Sequence, residues 1–558
     1  MNDSTGGFEE DVTAQTRAAG NGDTTYDVIV VGFGGAGACA AIAAADAGAS
    51  VLVLDRSYGG GSTYHSGGVV YAGGGTSAQH EAGVSDSPDN MYAYLRKETG
   101  DAVAEETLRR FVNTSPAMIE WLQAQGLEFE GSVCPYKTSY PTNRHYLYYS
   151  GNELAAGYSD VAEPAPRGHR TRAKNFSGAT FYGRLRESAL RRGVTFRPLA
   201  EVSSLIVDGD VVAGVEFRAP ASNRMPGKRF ELFVKLSEKM QIWHGPTGAR
   251  LNRIVEREVR KRSTTHRAHA RSGVILSTGG HGFNRALVDR HAPAWSAIEA
   301  LGTVGDDGAA LRLGAVVDAR TAKLGAMSGW RFIAPPSGFM EGIVVDGDGV
   351  RFVNEQLYGA TMTTPMVEEH GARAFLIVDS ATWRRARGQL RSQTAFFHAP
   401  QMAYLFGPTG HVKAGTLAEL ATKIGISPKS LTETAAQHNS DIEQRRADAF
   451  GKKDEFRHRL GDGPFYAIDL SPGVSPAYPM KFITLGGLVV DETTGQVVRN
   501  DGGLIRGLYA AGRSAVGLCS TSYVSGLSLA DAVFSGRRAG EHAAGASAPA
   551  IIETQERP

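Results

Sequence analysis

A glycine-rich turn near the start of the chain has the spacing of a phosphate-binding site. Gly32, Gly34 and Gly37 take the three glycine positions of a G-x-G-x-x-G pattern. These positions serve a tight turn, the approach of the backbone to a pyrophosphate, and close packing of helix on strand. Gly35 and Ala36 complete the turn, and the N-terminus of the helix that follows favours negative charge. The pattern predicts that a dinucleotide binds here.

A strand, a helix and a second strand surround this turn. From Tyr26 the chain reads YDVIVVGFGGAGACAAIAAADAGASVLVLDRS, in which two apolar, β-branched runs flank an alanine-rich helix. Asp55 ends the second strand roughly twenty residues after the turn, where a carboxylate can accept hydrogen bonds from a ribose. Glycine-rich turns also occur in loops that bind no nucleotide. The complete βαβ unit is therefore what favours dinucleotide binding.

Composition and charge exclude several classes of protein. The 558 residues include 59 basic and 58 acidic side chains, so no overall field attracts nucleic acid and no nucleic-acid partner is expected. Cys39, Cys134 and Cys519 form no CxxC pair, which argues against a disulfide framework or a metal site and favours the cytoplasm. Residues 1–25 are polar and predict a disordered tail rather than a signal peptide. No apolar run approaches the roughly 20 residues that span a bilayer.

An ordered series of segments resembles the fumarate reductase and succinate dehydrogenase flavoprotein superfamily. The segments are GGGSTYHSGGVVYAGGGT at 59–76, SGVILSTGGHGFN at 272–284, GDDGAALRLGA at 305–315, TLGGLVVDETTGQV at 484–497 and GLYAAGRSAVGLCSTSYVSGLSLADAVFSGRRAG at 507–540. The resemblance runs from about Tyr26 to Gly540, with one interruption, and implies that the dinucleotide is FAD.

The resemblance also implies which residues contact FAD. They are Gly32, Gly34, Gly35, Ala36, Gly37, Asp55, Arg56, Gly61, Ser62, Ser66, Gly67, Gly68, Val202, Thr278, Gly279, Gly280, Asp307, Gly512, Arg513, Ser528 and Leu529. A helix that begins near Ser528 and Leu529 would direct its N-terminus at the flavin pyrimidine. Arg513 is a departure, because many members have an acid after the AAG.

Gly61 stands where succinate dehydrogenases have the histidine that bonds FAD covalently. We therefore expect non-covalent FAD. His65, offset from that position, is interpreted as a packing or hydrogen-bonding residue, with a flavin tether as the alternative.

The implied fold is α/β, with a discontinuous Rossmann-like FAD-binding domain at 26–300 and 470–545. An α+β catalytic cap domain at 301–469 is inserted between the two parts. Within the cap, AFLIVDS at 374–380 predicts a strand and the segment 416–442 predicts two amphipathic helices. Residues 218–272 form a basic insertion, for which we keep three interpretations: a solvated excursion, a dimer contact, or a peripheral membrane contact.

Two motifs bear on the reaction. Fumarate reduction uses an arginine after an RFVNE-type segment and histidines that grip carboxylates, but here RFVNEQLYGA at 351–360 supplies Tyr358. GAMSGWRFIAPP at 325–336 lacks the histidine–proline motif. A dicarboxylate substrate is therefore not expected.

The tyrosine after RFVNE, together with Tyr523-x-Ser525-Gly526, resembles the 3-ketosteroid Δ4-dehydrogenases, whereas the Δ1-dehydrogenases have Tyr-Pro-Gly in the closing segment. The resemblance implies dehydrogenation of a 3-ketosteroid at C4–C5. Tyr523 OH and the Gly526 N–H would bind the C3 oxygen, Ser525 would accept the C4 proton and Tyr358 would pass it outward. The hydride from C5 would go to flavin N5.

The chemistry explains why such groups are wanted. A hydrogen next to a ketone leaves as a proton only if the developing enolate oxygen is stabilised. Neither serine nor tyrosine, whose ordinary pKa is about 10, is basic at neutral pH, so a relay is required. The plainer interpretations are that the tyrosines are packed rings and that Ser525 caps a helix. The aromatic run 136–149 and Trp330 with Phe332 are either walls for a flat ligand or ordinary packing.

Other functions remain open from the sequence: a Δ1-dehydrogenase, an enone reductase, or a flavoprotein subunit that serves an electron-transfer partner. No second G-x-G-x-x-G has a good strand–helix frame, so we expect an external electron acceptor, namely a quinone, a dye-like carrier or dioxygen.

Overall fold

The computed structural model of the protein describes residues 24–545. Its strands are β1 (Thr24–Val31), β2 (Val51–Leu54), β3 (Val69–Tyr71), β4 (Leu147–Tyr148), β5 (Gly168–Arg170), β6 (Thr195–Arg197), β7 (Glu201–Asp208), β8 (Val211–Pro220), β9 (Ser263–Leu276), β10 (Glu299–Ala300), β11 (Thr321–Ala322), β12 (Met327–Gly329), β13 (Ile343–Asp346), β14 (Ala374–Val378), β15 (Val412–Ala414), β16 (Phe465–Asp469), β17 (Lys481–Thr484), β18 (Gly487–Leu488), β19 (Gln496–Val498) and β20 (Leu504–Ala510).

The α-helices are α1 (Gly35–Asp46), α2 (Gly61–Tyr64), α3 (Ser77–Glu81), α4 (Pro88–Thr99), α5 (Glu105–Ala124), α6 (Gly178–Arg191), α7 (Lys228–Trp243), α8 (Gly245–Arg262), α9 (Arg285–His291), α10 (Ala309–Ala315), α11 (Gly359–Glu368), α12 (Ser380–Gln393), α13 (Ala399–Leu405), α14 (Leu417–Ile424), α15 (Pro428–Glu443) and α16 (Leu527–Gly545). Residues 1–23 of the predicted tail lie outside the described residues. Thr24 and Thr25 differ from that prediction, because they belong to β1 and pair with β9.

An eight-stranded sheet forms the centre of the nucleotide-binding part. β6, β2, β1 and β9 pair in parallel in that order. β20 continues the parallel arrangement along the end of β9, whereas β8 pairs with the beginning of β9 in antiparallel fashion. β7 and β19 complete the sheet. β2 and the ends of β1 and β9 are buried, which is why these strands read as unbroken apolar runs. The predicted βαβ unit is confirmed as β1, α1 and β2.

The last helix of the chain packs directly on the first. A Cβ atom added to Gly536 would lie 2.5 Å from the carbonyl oxygen of Ala36, and one added to Gly540 would lie 2.2 Å from that of Ala40. Small residues at these four positions therefore let the backbones of α1 and α16 come together. This packing holds the loop before α16 next to the glycine-rich turn before α1.

A second sheet lies in the chain between the two stretches that build the first. β13, β14, β16 and β15 form it in that order, all antiparallel. A buried ionic cluster stabilises it, in which Glu355 contacts Arg351 at 2.8 Å and Lys452 at 3.2 Å. The strand predicted in 374–380 and the two helices predicted in 416–442 are confirmed as β14, α14 and α15. The α/β class with an inserted cap is confirmed, whereas the exact domain boundaries stay predictions.

The basic insertion is shorter than the sequence suggested. β8 and β9 extend into the predicted insertion and pair as far as Pro220 and Ser263. The inserted part is residues 221–262, which contain α7 and α8 and are called the helical hairpin below. Within residues 24–545 we find no helix with the length and apolar character that crossing a membrane requires.

Candidate active site

The glycine-rich turn has room for a phosphate at one position only. Gly32 has φ of +99°, and a Cβ there would lie 2.4 Å from the carbonyl oxygen of Ser277. A Cβ at Gly37 would lie 2.0 Å from the carbonyl oxygen of Gly32. At Gly34, by contrast, the nearest atom would be 3.8 Å away, and α1 starts there without a side-chain cap. The first and third glycines thus close the turn. At the second, the N–H of Gly35 donates to Thr63 Oγ1 at 3.1 Å, and a pyrophosphate can approach the other N–H groups of the helix N-terminus.

Asp55 fixes the turn from the end of β2. Its carboxylate accepts hydrogen bonds of 2.7 Å from the backbone N–H groups of Phe33 and Ser57. Burial raises the pKa of this carboxyl group, and these two donors oppose the rise. Each carboxylate oxygen has a second lone pair. Asp55 can therefore hold the turn and still accept a hydrogen bond from a ribose.

Asp306, the neighbour of the predicted Asp307, joins separate segments of the cofactor site. It accepts a hydrogen bond of 2.5 Å from the hydroxyl of Ser62 and forms an ion pair of 2.7 Å with Arg513. Asp307 instead forms an ion pair of 2.8 Å with Arg56. Arg513 thus meets an acid from a neighbouring loop. Two adjacent acids in GDDGA were the sequence signal, from which Asp307 was predicted to contact FAD, and that contact stays a prediction.

The remaining residues predicted to contact FAD lie near the carboxyl ends of the central parallel strands or in adjoining loops. Gly35 and Ala36 begin α1; Gly61 is in α2; Ser66, Gly67 and Gly68 precede β3; Thr278, Gly279 and Gly280 follow β9; Gly512 follows β20; and Ser528 and Leu529 are in the first turn of α16. Val202 lies in β7 with a buried side chain, so only its backbone is available. A Cβ at Gly61 would meet nothing within 4 Å. This open, glycine-lined cradle fits FAD, and the individual contacts stay predictions.

His65 faces the helical hairpin. Its Nε2 atom lies 3.6 Å from a carboxylate oxygen of Glu238 on α7, and its ring meets that of Tyr64 edge to face at 5.1 Å. These contacts support the interpretation of His65 as a packing residue. Non-covalent attachment of FAD stays a prediction.

Ser525 lies beside two buried tyrosines. Its Oγ atom is 3.0 Å from the hydroxyl of Tyr148, and its backbone is fixed by two hydrogen bonds with Ser150 of 3.2 and 3.0 Å. Burial raises the pKa of Tyr148 and Tyr358 far above the usual range, while a hydrogen bond with Ser525 lowers each. The three hydroxyl groups therefore form one neutral cluster. Tyr148 was predicted only as part of the aromatic run 136–149, and no local signal marked it as a site residue.

Tyr523 and Gly526 lie together next to this cluster. Burial raises the pKa of Tyr523, and the backbone N–H of Gly526 lowers it because it lies close to the phenol oxygen. Gly526 has φ of +96°, and a Cβ there would lie 2.8 Å from the backbone nitrogen of Tyr71. A glycine is therefore required where α16 begins. The structure brings Tyr523, Ser525, Gly526 and Tyr358 together.

Aromatic rings enclose the space beside these groups. The ring of Trp330 stacks on that of Tyr523, with centroids 6.3 Å apart and planes 20° apart. Phe332 packs against Tyr358 at 5.3 Å, and Tyr358 lies 6.4 Å from Tyr523. The indole N–H of Trp330 is buried and has no hydrogen-bond partner within residues 24–545. Such walls suit a flat, apolar ligand that carries few polar groups.

A buried carboxyl group connects the two segments that carry the predicted catalytic residues. Glu98 accepts hydrogen bonds of 2.8 Å from the hydroxyl of Ser522 and from the side-chain amide of Asn152. Asn152 in turn accepts one of 2.6 Å from the backbone N–H of Tyr358. Glu98 thereby connects the loop before α16 with the start of α11. Sequence reasoning missed both residues, because neither lies in a recognisable motif.

The arginine near the aromatic rings is not free to donate a proton. Arg331 is completely buried, and its guanidinium donates three hydrogen bonds of 2.8 Å to the backbone carbonyl groups of Leu470, Ser471 and Tyr478. Its role is to hold the segment after β16 in place. Among the residues that the structure describes, no group of three or more His, Cys, Asp and Glu side chains could hold a metal ion.

Known proteins share the sequence features of this chain. The family model described as FAD binding domain matches residues 27–529. The chain is 37% identical to the 3-oxo-5-alpha-steroid 4-dehydrogenase of Comamonas testosteroni over 503 residues, which cover 87% of this chain and 92% of that protein.

Two solved structures are also similar. The 3-ketosteroid-Δ4-(5α)-dehydrogenase of Rhodococcus jostii RHA1, in complex with 4-androstene-3,17-dione, has a TM-score of 0.78 at 29% identity and covers 96% of this chain and 99% of its own. The 3-ketosteroid Δ1-dehydrogenase of Sterolibacterium denitrificans, covering 94% of this chain and all of its own, has a TM-score of 0.63 at 21% identity, which indicates a common fold. The chain therefore belongs to the FAD-dependent oxidoreductases of the FAD binding domain family, together with the 3-oxo-5-alpha-steroid 4-dehydrogenase of C. testosteroni.

Proposed function

We propose that the protein is a 3-ketosteroid Δ4-dehydrogenase that introduces the C4–C5 double bond into a 3-ketosteroid. The observation that carries this proposal is the hydroxyl cluster, in which Ser525 Oγ lies 3.0 Å from the hydroxyl of Tyr148 and beside Tyr358. The C. testosteroni relative and the R. jostii structure act on substrates of this class according to their names. FAD, when bound, would supply the two-electron acceptor for the hydride that leaves C5.

The C3 oxygen of the substrate becomes more negative as the C4 proton leaves. We assign Tyr523 OH and the N–H of Gly526 as the donors to that oxygen; in the structure the Gly526 N–H faces the phenol oxygen of Tyr523. Because burial keeps the phenol neutral, Tyr523 retains its proton and acts as a donor. Donors preorganised in this way contribute roughly 2.7–4 kcal/mol each to transition-state stabilisation.

The C4 proton needs an acceptor other than a charged base. We assign Ser525 as the group that takes it, and Ser525 must then give up its own hydroxyl proton to a neighbour. Tyr358 receives that proton in the proposed relay and passes it outward. Tyr358 also lines a small cavity with Lys137 and Phe332, which offers the proton a route away from the substrate.

Tyr148 has a positioning role in this proposal. Its hydroxyl can accept the hydrogen bond of Ser525 in one state of the relay and donate to Ser525 in the other, since a phenol does both. It would thereby orient Oγ towards C4.

The three cysteines are free and buried, which is consistent with a reducing compartment, and we place the enzyme in the cytoplasm. An external electron acceptor then completes the cycle.

Anaerobic titration of the FAD-loaded protein tests the proposal. We expect a 5α-reduced 3-ketosteroid to bleach the flavin absorbance and succinate to leave it unchanged. Analysis of the product should locate the new double bond at C4–C5. A double bond at C1–C2 would make the enzyme a Δ1-dehydrogenase, and bleaching by succinate alone would contradict the steroid assignment altogether.

A further inference from the structure

The helical hairpin carries a strong positive charge. Residues 221–262 contain eleven lysine and arginine residues against four glutamates, and no aspartate. The whole chain is almost neutral, with 59 basic and 58 acidic residues. The excess charge is therefore concentrated on one projecting element, and the proposed reaction makes no use of it.

One side of the helical hairpin makes the contacts that hold it in place. Between the helices, the hydroxyl of Ser237 donates to the side-chain oxygen of Asn252 at 3.0 Å, and Asn252 donates to Gln241 at 3.3 Å. A Cβ at Gly248 would lie 2.2 Å from Cα of Gln241, so the two helices touch there. Glu238 also accepts a hydrogen bond from Ser57 in the body of the protein. The hairpin is consequently a rigid part of the fold.

The opposite side of α7 exposes large apolar residues. Leu232, Leu236 and Trp243 are 70%, 49% and 44% exposed. Their spacing places them on one face of the helix. Lysine and arginine residues share that face: Lys228, Arg229, Lys235 and Lys239, all exposed.

The solvent side of α8 repeats this composition. Ile254 is 51% exposed and lies in a shallow groove that is lined by Glu258 and four basic residues, which are Arg250, Arg253, Arg257 and Lys261. Exposed leucine and tryptophan in alternation with lysine and arginine is the composition of helices that lie in the plane of an anionic membrane surface. The exposed apolar residues of α7 share one face with basic residues, and this combination complements both the acyl chains and the anionic headgroups of a lipid surface.

An aromatic cluster leads from this face towards the hydroxyl cluster. The ring of Trp243 lies 6.3 Å from that of Phe176, and Phe176 stacks on Phe397 at 4.4 Å. Both phenylalanines pack against Tyr140, at 5.6 and 5.3 Å. Tyr140 belongs to the same buried apolar cluster as Tyr148, which contacts Ser525. Ring contacts thus connect the exposed indole with Tyr140, which shares a buried apolar cluster with Tyr148, the partner of Ser525.

We propose that the solvent side of the helical hairpin docks on the surface of an anionic lipid bilayer. Leu232, Leu236 and Trp243 enter the boundary between headgroups and acyl chains, while the lysine and arginine residues contact the lipid phosphates. The Trp243 end of the aromatic cluster then lies at the membrane surface. The entry of a bilayer-dissolved steroid by this route rests on the proposed function. The docking itself does not.

Co-sedimentation of the FAD-loaded full chain with lipid vesicles tests the docking. We expect binding to vesicles of phosphatidylcholine with phosphatidylglycerol, little binding to pure phosphatidylcholine, and release at about 0.5 M salt. The double variant Leu232→Ser, Leu236→Ser should lower the bound fraction about tenfold. Arg250→Glu with Arg257→Glu should do the same. The matched control Val316→Ser, Leu504→Ser removes apolar residues that are 68% and 45% exposed elsewhere, and should bind like the original protein.

Two outcomes would overturn the docking proposal. One is that the folded, FAD-loaded protein does not bind anionic vesicles. The other is that the leucine variant converts a dimer into a monomer in sedimentation velocity runs without changing vesicle binding, which would make this face an interface between two copies. Vesicle binding by a protein that oxidises no steroid would contradict only the proposed function. Turnover of a steroid dispersed without lipid should be the same in the leucine variant and the original protein.

Discussion

The hydroxyl of Tyr148 on β4 lies 3.0 Å from Oγ of Ser525, although 377 positions separate the two residues in the chain. The three-stranded sheet of β3, β5 and β4 fixes the position of Tyr148. The packing of α16 on α1 fixes the loop that contains Ser525. The contact therefore depends on the whole fold. It makes Tyr148 a positioning residue for the proposed proton acceptor.

Replacement of Tyr148 by phenylalanine should slow flavin bleaching about tenfold, because Ser525 loses the partner that orients it. FAD should stay bound, and the spectrum of the oxidised protein should be unchanged. Tyr146→Phe is the matched control, since Tyr146 is also buried and donates to the backbone carbonyl of Ala173 instead. Equal rates for both variants in stopped-flow measurements would remove Tyr148 from the site.

Tyr523→Phe should reduce kcat by about 100-fold to 1,000-fold, the usual effect of deleting one oxyanion donor. The ring and its stacking on Trp330 are kept, so the dissociation constant of the steroid product should change little. Steady-state kinetics together with a product-binding titration separates the two effects. A large loss of binding with normal kcat would show that Tyr523 only packs against the ligand.

Glu98 is expected to act through the segments it connects. Glu98→Ala should lower kcat about tenfold and raise KM, because Ser522 and Asn152 lose a shared acceptor and the loops of Tyr523 and Tyr358 loosen. Glu98→Gln should restore most of the rate, since the hydroxyl of Ser522 can accept as well as donate. If the glutamine variant were as slow as the alanine variant, the charge of Glu98 and not its hydrogen bonds would matter.

Asp531 on α16 should make stability depend on pH. Burial raises its pKa from 3.8 to about 6, so the folded protein favours the protonated form. The resulting stability is complete below about pH 4 and is lost as pH rises through 6, a change of roughly 3 kcal/mol. Asp531→Asn should therefore be more stable than the original protein at pH 7.5 and about equally stable at pH 4.

Urea unfolding with excess FAD at the two pH values measures this difference. Asp208→Asn, at an exposed position of β7, is the control and should shift neither midpoint. A stability difference for Asp531→Asn that is the same at both pH values would mean that Asp531 is not titrating in this range.

Much of the cofactor site could be predicted, because local sequence determines it. The turn at Gly32, Gly34 and Gly37 follows from glycine stereochemistry and from the strands on each side. The same holds for Gly526, whose positive φ and close approach to β3 admit no side chain. The order of segments along the chain then sufficed for the α/β class with an inserted cap.

The positioning residues could not be predicted for a physical reason. Tyr148 and Asn152 lie in a stretch with no helical or strand periodicity, and Glu98 is one of many acids on helices. Their roles arise only when long-range packing brings them to the loop before α16. Asp306 illustrates the same limit, because two adjacent acids have the same local signal and only the fold decides which one meets Arg513.

In the proposed reaction, hydroxyl groups remove the C4 proton, and Ser525 acts first. Deuterium uptake at C4 of a 5α-reduced 3-ketosteroid, followed in D₂O under anaerobic conditions with the FAD-loaded protein, tests it most directly. We predict uptake at C4 well above the enzyme-free rate and a loss of about 100-fold in Ser525→Ala, with FAD still bound. Undiminished uptake in Ser525→Ala, or uptake at C2 in place of C4, would contradict the account.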